Sequence, residues 1–375
     1  MLVSAVSSCT IDNSIKKETV YGIEQIVSLK EKGITVESYS FEQGTFCLYL
    51  SDESSIVFNT HDVSIATIDE RGYWCVNGEL STIPLDQDVI VTEVEKSEIQ
   101  KIIENYTEWL FFFNNGEMLS LEKLVFNLNA DSILRGVNHR GFNSIAPENT
   151  LPAYRLSRLK GFCYVETDVQ FTADGVPVII HDATIDRTSN AQGKVTDLTW
   201  DQLRELDFGI WKSHEYQGTK IPSLEEFLLL CKTIGLIPYL EIKAGSRQQV
   251  HDIVSMVESC GLKGRVVYIS FGAGFLRYVA EVDPDATLGF LYGTPLTEEA
   301  VNTALTLKND TNAVFIDCYD CSEGAVSLCR NAFLPMEVWT INSETTIRNL
   351  PSYITGVTSD KLHAGLVVIQ MNNNS

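Results

Sequence analysis

The chain has 375 residues, with 28 Lys or Arg against 50 Asp or Glu and a formal net charge of −22. Hydrophobic residues make up 44% and charged residues 21%, which excludes a disordered chain; the length suits about two domains, or one large barrel with an appendage. No apolar run reaches the ~18–20 residues of a membrane span, and the acidic balance argues against nucleic acid as a partner.

The chain starts with a short apolar segment that ends at Cys9. The segment lacks a basic region and is too short for a complete signal peptide. Two interpretations stay open: the end of a lipoprotein signal, if the true start lies upstream, or an ordinary terminus. The first would place the protein on a bacterial cell envelope, and the second is compatible with the cytoplasm. The nine cysteines show neither a disulfide framework nor a zinc-binding pattern.

The first third of the chain has the pattern of β-hairpins. Alternating apolar residues flank short turns over residues 46–58, 73–80 and 109–121, and the turns are rich in Asn, Asp, Ser or Gly. Residues 1–130 also carry 21 acidic and only 8 basic side chains. We therefore predict a β-rich accessory domain over residues 1–130, which would bind or position an unknown partner.

From residue 131 onward, short apolar runs alternate with helical patterns such as 151–160, 223–234 and 247–260. This alternation over about 240 residues favours an α/β fold, a (β/α)8 TIM barrel over residues 131–375. A doubly wound open sheet ranks second, because no glycine-rich phosphate loop follows the first strand. The predicted strands are 136–139, 164–170, 177–181, 237–242, 266–270, 287–291, 313–317, 336–341 and 354–358.

Chemically active side chains lie where these predicted strands end, which is where barrel enzymes place their active sites. Glu166 and Asp168 are two residues apart on a strand and therefore point to the same face. With Glu241 they make three carboxylates, which would repel one another unless a cation lies among them. Oxygen ligands without Cys or His favour Mg²⁺ or Ca²⁺ over zinc.

Several short segments stand at or near these strand ends. They are, in chain order, His139-Arg-Gly, Pro147-Glu-Asn-Thr, Glu166-x-Asp168, Asp174-Gly-Val-Pro-Val-Ile-Ile-His181-Asp182, Asp186-Arg-Thr188, Ile221-Pro-Ser-Leu-Glu-Glu226, Glu241-x-Lys243, Ser270-Phe271 and Trp339-Thr340. This series resembles the glycerophosphodiester phosphodiesterase family, in family order, over roughly residues 134–360. The resemblance implies a phospholipase C-like TIM barrel that hydrolyses diesters such as glycerophosphocholine to an alcohol and sn-glycerol 3-phosphate.

The resemblance also implies the reacting groups. His139 and His181 would be the general acid/base pair, and Glu166, Asp168 and Glu241 would hold the divalent cation. Imidazoles titrate near neutral pH, so the two rings suit proton transfer to and from the reacting oxygens. The attacking group is either water or the neighbouring glycerol hydroxyl, and the sequence does not choose between them.

Four further matching residues would bind or support the substrate. Arg140 and Lys243 would contact the phosphate, since a phosphodiester gains negative charge in its transition state. Trp339 would line the glycerol side of the pocket. Glu148 would orient the first loop or accept a hydrogen bond from Arg140.

Two alternatives to this function stay open. A lysophospholipase D-like enzyme, or another phosphodiesterase on a larger diester, would need an apolar groove, to which Phe142, Phe208 and Trp211 could contribute. A non-catalytic phosphodiester-binding barrel would lack a metal ligand or a histidine, and none is missing.

The sequence departs from the family pattern at the last strand, which ends in Thr358-Ser-Asp360-Lys361 instead of Thr-Asp-x-Pro. This departure puts the details of barrel closure in question. The remaining histidines lack reactive neighbours in the sequence and are expected at the surface. They are His61, His214, His251 and His363.

Overall fold

The computed structural model describes residues 23–42, 44–52, 54–69, 73–84, 98–106, 108–123, 134–364 and 367. These residues form two compact units, one ending at residue 123 and one beginning at residue 134. Cys9 and the predicted domain boundary at residue 130 lie outside the described residues. Among the helices in these ranges, none has the length and apolar character needed to cross a membrane.

The first unit combines one helix with two sheets. Antiparallel strands β1–β3 form one sheet, and the other has the order β6-β5-β4-β7-β8-β9, in which only β4 and β7 pair in parallel. The elements are α1 (Ile23–Glu31), β1 (Val36–Glu42), β2 (Thr45–Leu50), β3 (Ser55–Asn59), β4 (Ser64–Ile68), β5 (Tyr73–Val76), β6 (Glu79–Pro84), β7 (Ile99–Glu104), β8 (Glu108–Phe113) and β9 (Met118–Glu122).

All three predicted hairpins are present, as the antiparallel pairs β2–β3, β5–β6 and β8–β9. The β5–β6 turn places Asn77 and Gly78 at positive φ, 51° and 84°, which is the conformation that this dipeptide favours in tight hairpins. Phe46 and Trp109 are both buried in the core of this unit, with ring centroids 5.5 Å apart. The unit is therefore β-rich, as the sequence predicts, and its partner stays a prediction.

The second unit is a closed barrel of eight parallel strands with helices between them, which confirms the predicted fold class. Its strands are β10 (Arg135–Asn138), β11 (Tyr164–Phe171), β12 (Pro177–Ile179), β13 (Ile237–Ile242), β14 (Val267–Ser270), β15 (Thr287–Tyr292), β16 (Ala313–Cys318), β17 (Met336–Val338) and β18 (Ile354–Ser359), of which β12 lies outside the ring. Its helices are α2 (Leu151–Leu159), α3 (Trp200–Glu205), α4 (Leu224–Ile234), α5 (Arg247–Ser259), α6 (Ala273–Val282), α7 (Glu298–Leu305), α8 (Glu323–Asn331) and α9 (Glu344–Arg348).

The helices begin where the sequence supplies capping side chains. Ser223 caps α4 and Ser246 caps α5, each in a reciprocal capping box with the side chain three residues later. The apolar side of α4 then faces inward, where Phe227 packs on Tyr154 with ring centroids 4.5 Å apart. Local capping and an apolar face thus fix where these helices lie against the sheet.

The predicted strand over residues 177–181 has a different role from the others. Residues Pro177–Ile179 pair antiparallel with β11, with Val169 opposite Ile179, and do not enter the barrel ring. The short β12 instead folds back along β11 and carries the chain to His181 at the mouth. The predicted strand over 336–341 also ends early, at Val338.

Pairing of the last strand with the first closes the barrel. Strand β10 pairs in parallel with both β11 and β18, and the backbone N–H of His139 donates to the carbonyl of Ser359 at 2.9 Å. The unusual sequence at Asp360 therefore does not prevent closure.

The expectation for one of the remaining histidines is wrong. His363 is buried and lies against Phe162, with ring centroids 4.7 Å apart. His61 and His214 are exposed, and His251 is half-buried beside Glu281.

Candidate active site

A pocket of about 160 Å³ opens at the carboxyl ends of the barrel strands. Seven of the nine site residues predicted from the sequence line it, while Asp168 lies buried beside Glu241 and Glu148 contacts Arg140. The lining residues are His139, Arg140, Glu166, His181, Glu241, Lys243, Ile269, Phe271, Leu291, Asp317, Trp339 and Thr358.

Three buried carboxylates meet at one side of this pocket. Glu166 and Asp168 both lie on β11, and strand pairing places Asp168 opposite Glu241 of β13. One oxygen from each of the three side chains lies within 4.8 Å of the other two. This all-oxygen set could hold a metal ion, as its chemistry suits a hard divalent cation.

Protein cations only partly neutralise these carboxylates. Lys243 Nζ lies 3.3 Å from Asp168 Oδ1 and 3.1 Å from Glu241 Oε1, and Arg140 Nε lies 3.4 Å from Asp168 Oδ2. Burial opposes ionisation of Asp168, but Lys243 and Arg140 hold its pKa below the usual value.

The pKa values of the other two carboxyl groups are raised. Burial, with repulsion from Asp168, raises the pKa of Glu166 well above its usual value. The same two causes raise the pKa of Glu241 to about 7. A bound cation would relieve this repulsion, so the donor set fits the metal that the sequence predicts.

His139 is oriented from behind by a carboxylate. Its Nδ1 lies 2.8 Å from Asp360 Oδ1, and Asp360 also accepts hydrogen bonds from Asn143, at 2.7 Å, and from Asn342. Despite burial, the hydrogen bonds from His139 and Asn143 hold the pKa of Asp360 well below its usual range. An ionised carboxylate only accepts, so Nδ1 carries the proton. Nε2, which lies 3.9 Å from Glu166 Oε2, can then exchange a proton with a bound substrate.

His181 has the same kind of support from its neighbour in the chain. Its Nδ1 lies 2.7 Å from Asp182 Oδ1, and Arg187 Nε donates to Asp182 Oδ2 at 2.7 Å. The hydrogen bond from Arg187 contributes most to lowering the pKa of Asp182 to about 2. Burial lowers the pKa of the His181 imidazole, although Asp168 opposes this. Nε2 of a neutral His181 is thereby left free to accept a proton.

Glu148 connects the two histidine loops. It accepts a hydrogen bond from Arg140 at 2.9 Å and two from Arg187, at 2.7 and 2.9 Å. Arg140 follows His139, and Arg187 binds the carboxylate beside His181. One side chain thus fixes both loops, which is a larger role than the sequence assigned to it.

The backbone around Arg140 explains why the first motif reads His-Arg-Gly. Arg140 and Gly141 both have positive φ, 53° and 76°. A Cβ atom on Gly141 would lie 2.7 Å from that of Ala153, which is too close for any larger residue. This turn directs the Arg140 backbone N–H to Glu166 Oε2, at 3.0 Å.

Asn149, in the Pro-Glu-Asn-Thr segment, also has positive φ, 57°. Its Nδ2 donates to Asp168 Oδ2 at 2.8 Å, and its Oδ1 accepts from the Tyr154 hydroxyl at 2.9 Å. The segment therefore supports a carboxylate of the buried acidic cluster as well as Arg140.

The far side of the pocket is mostly apolar. Trp339 is held there by a hydrogen bond from its Nε1 to the carbonyl of Asp317, 3.1 Å long, and packs edgewise against Phe271 and Tyr319. Phe142 and Phe208, which were expected to contribute to an apolar groove for lysophospholipids, are instead buried in separate cores. Two of the three residues suggested for that groove are therefore not available to line it.

Several residues of the site were not singled out from the sequence. Asp182 directly follows His181, and Arg187 stands inside a recognised segment, but nothing in the sequence joins Arg187 to Glu148. Asp360 lies in the segment that departs from the family pattern, and the signal for Asp317 is its place at the end of the predicted strand 313–317. Burial, with repulsion from Glu337 and Glu241, raises the pKa of Asp317 well above its usual value.

Two histidines that are each hydrogen-bonded to a carboxylate, next to a buried acidic cluster, suit the hydrolysis of a phosphoric diester. The model of the glycerophosphoryl diester phosphodiesterase family matches residues 139–364, and the chain belongs to that family. The resemblance stated from the sequence is confirmed.

Known proteins agree with this assignment. A glycerophosphodiester phosphodiesterase of Caldanaerobacter subterraneus is 28% identical over 228 residues, which cover 60% of this chain and 93% of that one. Human glycerophosphodiester phosphodiesterase 1 is 32% identical over 155 residues, 40% of this chain and 47% of that one. An Oleispira antarctica phosphodiesterase, solved in complex with the product sn-glycerol-3-phosphate, superposes with a TM-score of 0.55 at 25% identity, covering 65% of this chain and 98% of that one.

Proposed function

We propose that this chain hydrolyses glycerophosphodiesters to an alcohol and sn-glycerol 3-phosphate. The observation that carries the proposal is the position of two histidines, each bound through Nδ1 to an aspartate, beside three buried carboxylates. The Oleispira antarctica phosphodiesterase, whose structure holds that same product, supports the choice of substrate.

The charged side of the pocket binds the phosphate. Glu166, Asp168 and Glu241 would hold Mg²⁺ or Ca²⁺, and such a cation would stabilise negative charge on the phosphate oxygens. Arg140 and Lys243 contact the same oxygens. Arg140 is held by Glu148 and its own backbone turn, so it needs little reorganisation when the substrate binds.

The two histidines move the protons. One takes a proton at Nε2 from the attacking hydroxyl, which is that of water or the glycerol hydroxyl beside the phosphorylated carbon. In the second case a cyclic phosphate forms first, and a water molecule then opens it to sn-glycerol 3-phosphate. The other histidine delivers a proton from Nε2 to the oxygen of the leaving alcohol. Asp360 and Asp182 hold the rings in position and stabilise whichever imidazolium forms, as the carboxylate partner of a catalytic histidine does.

The test measures which bond breaks. The purified chain is stripped of metal with a chelator, incubated with glycerophosphocholine or glycerophosphoethanolamine, and supplied with Mg²⁺ or Ca²⁺. We expect sn-glycerol 3-phosphate and the free alcohol only when metal is returned. Release of phosphocholine would show cleavage of the wrong bond, and no product with either substrate would refute the proposal.

A further inference from the structure

Asp317 is a buried acid that faces the pocket without a hydrogen-bond partner at its Oδ1. It lies near the end of β16, lines the pocket and is only 1% exposed. No hydrogen bond within the described part of the chain reaches its Oδ1. Buried carboxyl oxygens are nearly always paired, so an unpaired one in a binding pocket indicates a group supplied by the ligand.

The position of Asp317 in the ring shows which part of a ligand it would meet. Going round the closed ring, β16 is the fourth strand from β11 in both directions, so Asp317 lies across the barrel from Glu166. The side chains beside it on that half of the lining are Ile269, Leu291 and Trp339. Asp317 is the single acid among the described side chains that line this half of the pocket; Glu337, opposite it on β17, is buried and does not line the pocket.

The pocket therefore has two chemically different ends. Phosphate binds at the end formed by Arg140, Lys243 and the three carboxylates, and the organic part of the substrate extends toward the opposite wall. Trp339 is fixed beside Asp317 by its hydrogen bond to the Asp317 carbonyl. An aromatic face next to a buried carboxyl matches a polyol, which presents C–H groups to the ring and a hydroxyl to the acid.

We infer that Asp317 binds the terminal hydroxyl of the substrate's glycerol portion and so selects glycerol esters over esters that lack this hydroxyl. The inference rests on the proposed function, and it names the hydroxyl farthest from phosphorus because that group reaches the far wall. The variable alcohol then lies toward the mouth, where Phe271 is 51% exposed.

The experiment compares two diesters that differ only in that hydroxyl. One is glycerophosphocholine, and the other carries propane-1,2-diol of matching configuration in place of glycerol. The second diester keeps the hydroxyl next to the phosphorylated carbon, so both possible attacking groups stay available. The wild type should prefer glycerophosphocholine by roughly 10- to 100-fold in kcat/KM.

Substitutions at Asp317 should change this preference. Asp317→Ala should reduce the preference to less than about 3-fold, because the hydroxyl then gains nothing from its presence. Asp317→Asn keeps the size of the side chain and an acceptor oxygen, and should retain most of the preference. Asp283→Asn is the matched control: it alters a buried acid at the end of α6 that does not line the pocket, and it should change both substrates in parallel.

A second readout separates this inference from the proposed function. The binding of sn-glycerol 3-phosphate and propane-1,2-diol phosphate is measured by calorimetry for the same variants, with melting temperatures to establish folding. If neither diester is hydrolysed but wild type binds glycerol phosphate more tightly and Asp317→Ala does not, the proposed function fails and the inference stands. Equal losses for both ligands in folded Asp317→Ala, or no preference in the wild type, would overturn the inference.

Discussion

The Nδ1 atom of His139 lies 2.8 Å from Oδ1 of Asp360, 221 residues later in the chain. Strand β10 ends next to His139 and β18 next to Asp360, and these two strands pair where the barrel closes. Closure of the barrel thus places a carboxylate behind the imidazole of His139. Asn143 and Asn342 hold that carboxylate in turn.

Asp360→Asn should lower kcat by at least about 10²-fold. The amide keeps the shape of the carboxyl, but it carries no charge to stabilise the imidazolium and can hold the ring in the wrong tautomer. Product formation measured across pH should show the loss at every pH, while the affinity for metal stays unchanged. A kcat within threefold of wild type would show that Asp360 only fills space.

Replacing either histidine should remove proton transfer. His139→Ala and His181→Ala should each lower kcat by about 10²–10⁴-fold, because Nε2 of each ring is the group left free to act. The assay is release of sn-glycerol 3-phosphate at saturating metal. His251→Ala, on α5 beside Glu281, is the matched control and should keep full activity. A folded His139→Ala or His181→Ala variant with normal turnover would contradict the acid/base assignment.

Glu166→Gln should weaken metal binding. Removing one of three carboxylates from the cluster lowers its attraction for a divalent cation, and we expect at least a tenfold higher metal concentration for half-maximal activity. Metal-induced stabilisation, followed by thermal unfolding at several Mg²⁺ or Ca²⁺ concentrations, should shift in the same direction. If both titrations overlay those of the wild type, Glu166 does not hold the cation.

Arg187→Ala should impair catalysis without touching the phosphate-binding residues. Arg187 joins Asp182 to Glu148, so its loss frees both histidine loops at once. We expect kcat to fall about 10–100-fold, with a smaller change in KM. Arg187→Lys should not restore activity, because an ammonium cannot form the paired hydrogen bonds of a guanidinium. Full activity in either variant would show that the contacts of Arg187 with Asp182 and Glu148 do not matter for catalysis.

The buried His363 should make folding stability depend on pH. Burial lowers its pKa from 6.5 to about 4, so between these values the unfolded chain binds a proton and the folded chain does not. The contribution of His363 to the free energy of unfolding is fully present above pH 6.5 and is lost as the pH falls toward 4. The loss amounts to roughly 2–3 kcal/mol between pH 7.5 and 4.5. The free energy of unfolding, measured with denaturant at several pH values, should fall more steeply below pH 6.5 for the wild type than for His363→Phe. Parallel pH profiles of the two proteins would contradict this prediction.

Much of the barrel could be predicted because its signals are local. The strands are short apolar runs, the helices carry caps such as Ser223, and strand ends are where active sites lie. Residues 177–181 misled the prediction because an apolar run does not reveal whether its partner is parallel or antiparallel. The fold-back of β12 depends on pairing with β11, which no local pattern records.

The sequence predicted most of the polar side chains that line the pocket but few of the residues that support them. Glu166 and Asp168 share a strand, so their convergence follows from spacing alone. Asp360 meets His139 only when the barrel closes. The position of Asp317 across the pocket from Glu166 likewise depends on the order of the strands in the closed ring. His363 was misplaced for the same reason, since its burial depends on Phe162, some 200 residues away.

Closure of the ring by β18 links activity to completion of the fold. His139 is made early in the chain, but its carboxylate partner arrives after the last strand of the barrel. A chain that ends before β18 contains both histidines and all three carboxylates but lacks Asp360 and the strand that closes the ring. Such a chain should hydrolyse no diester, so that activity depends on completion of the barrel.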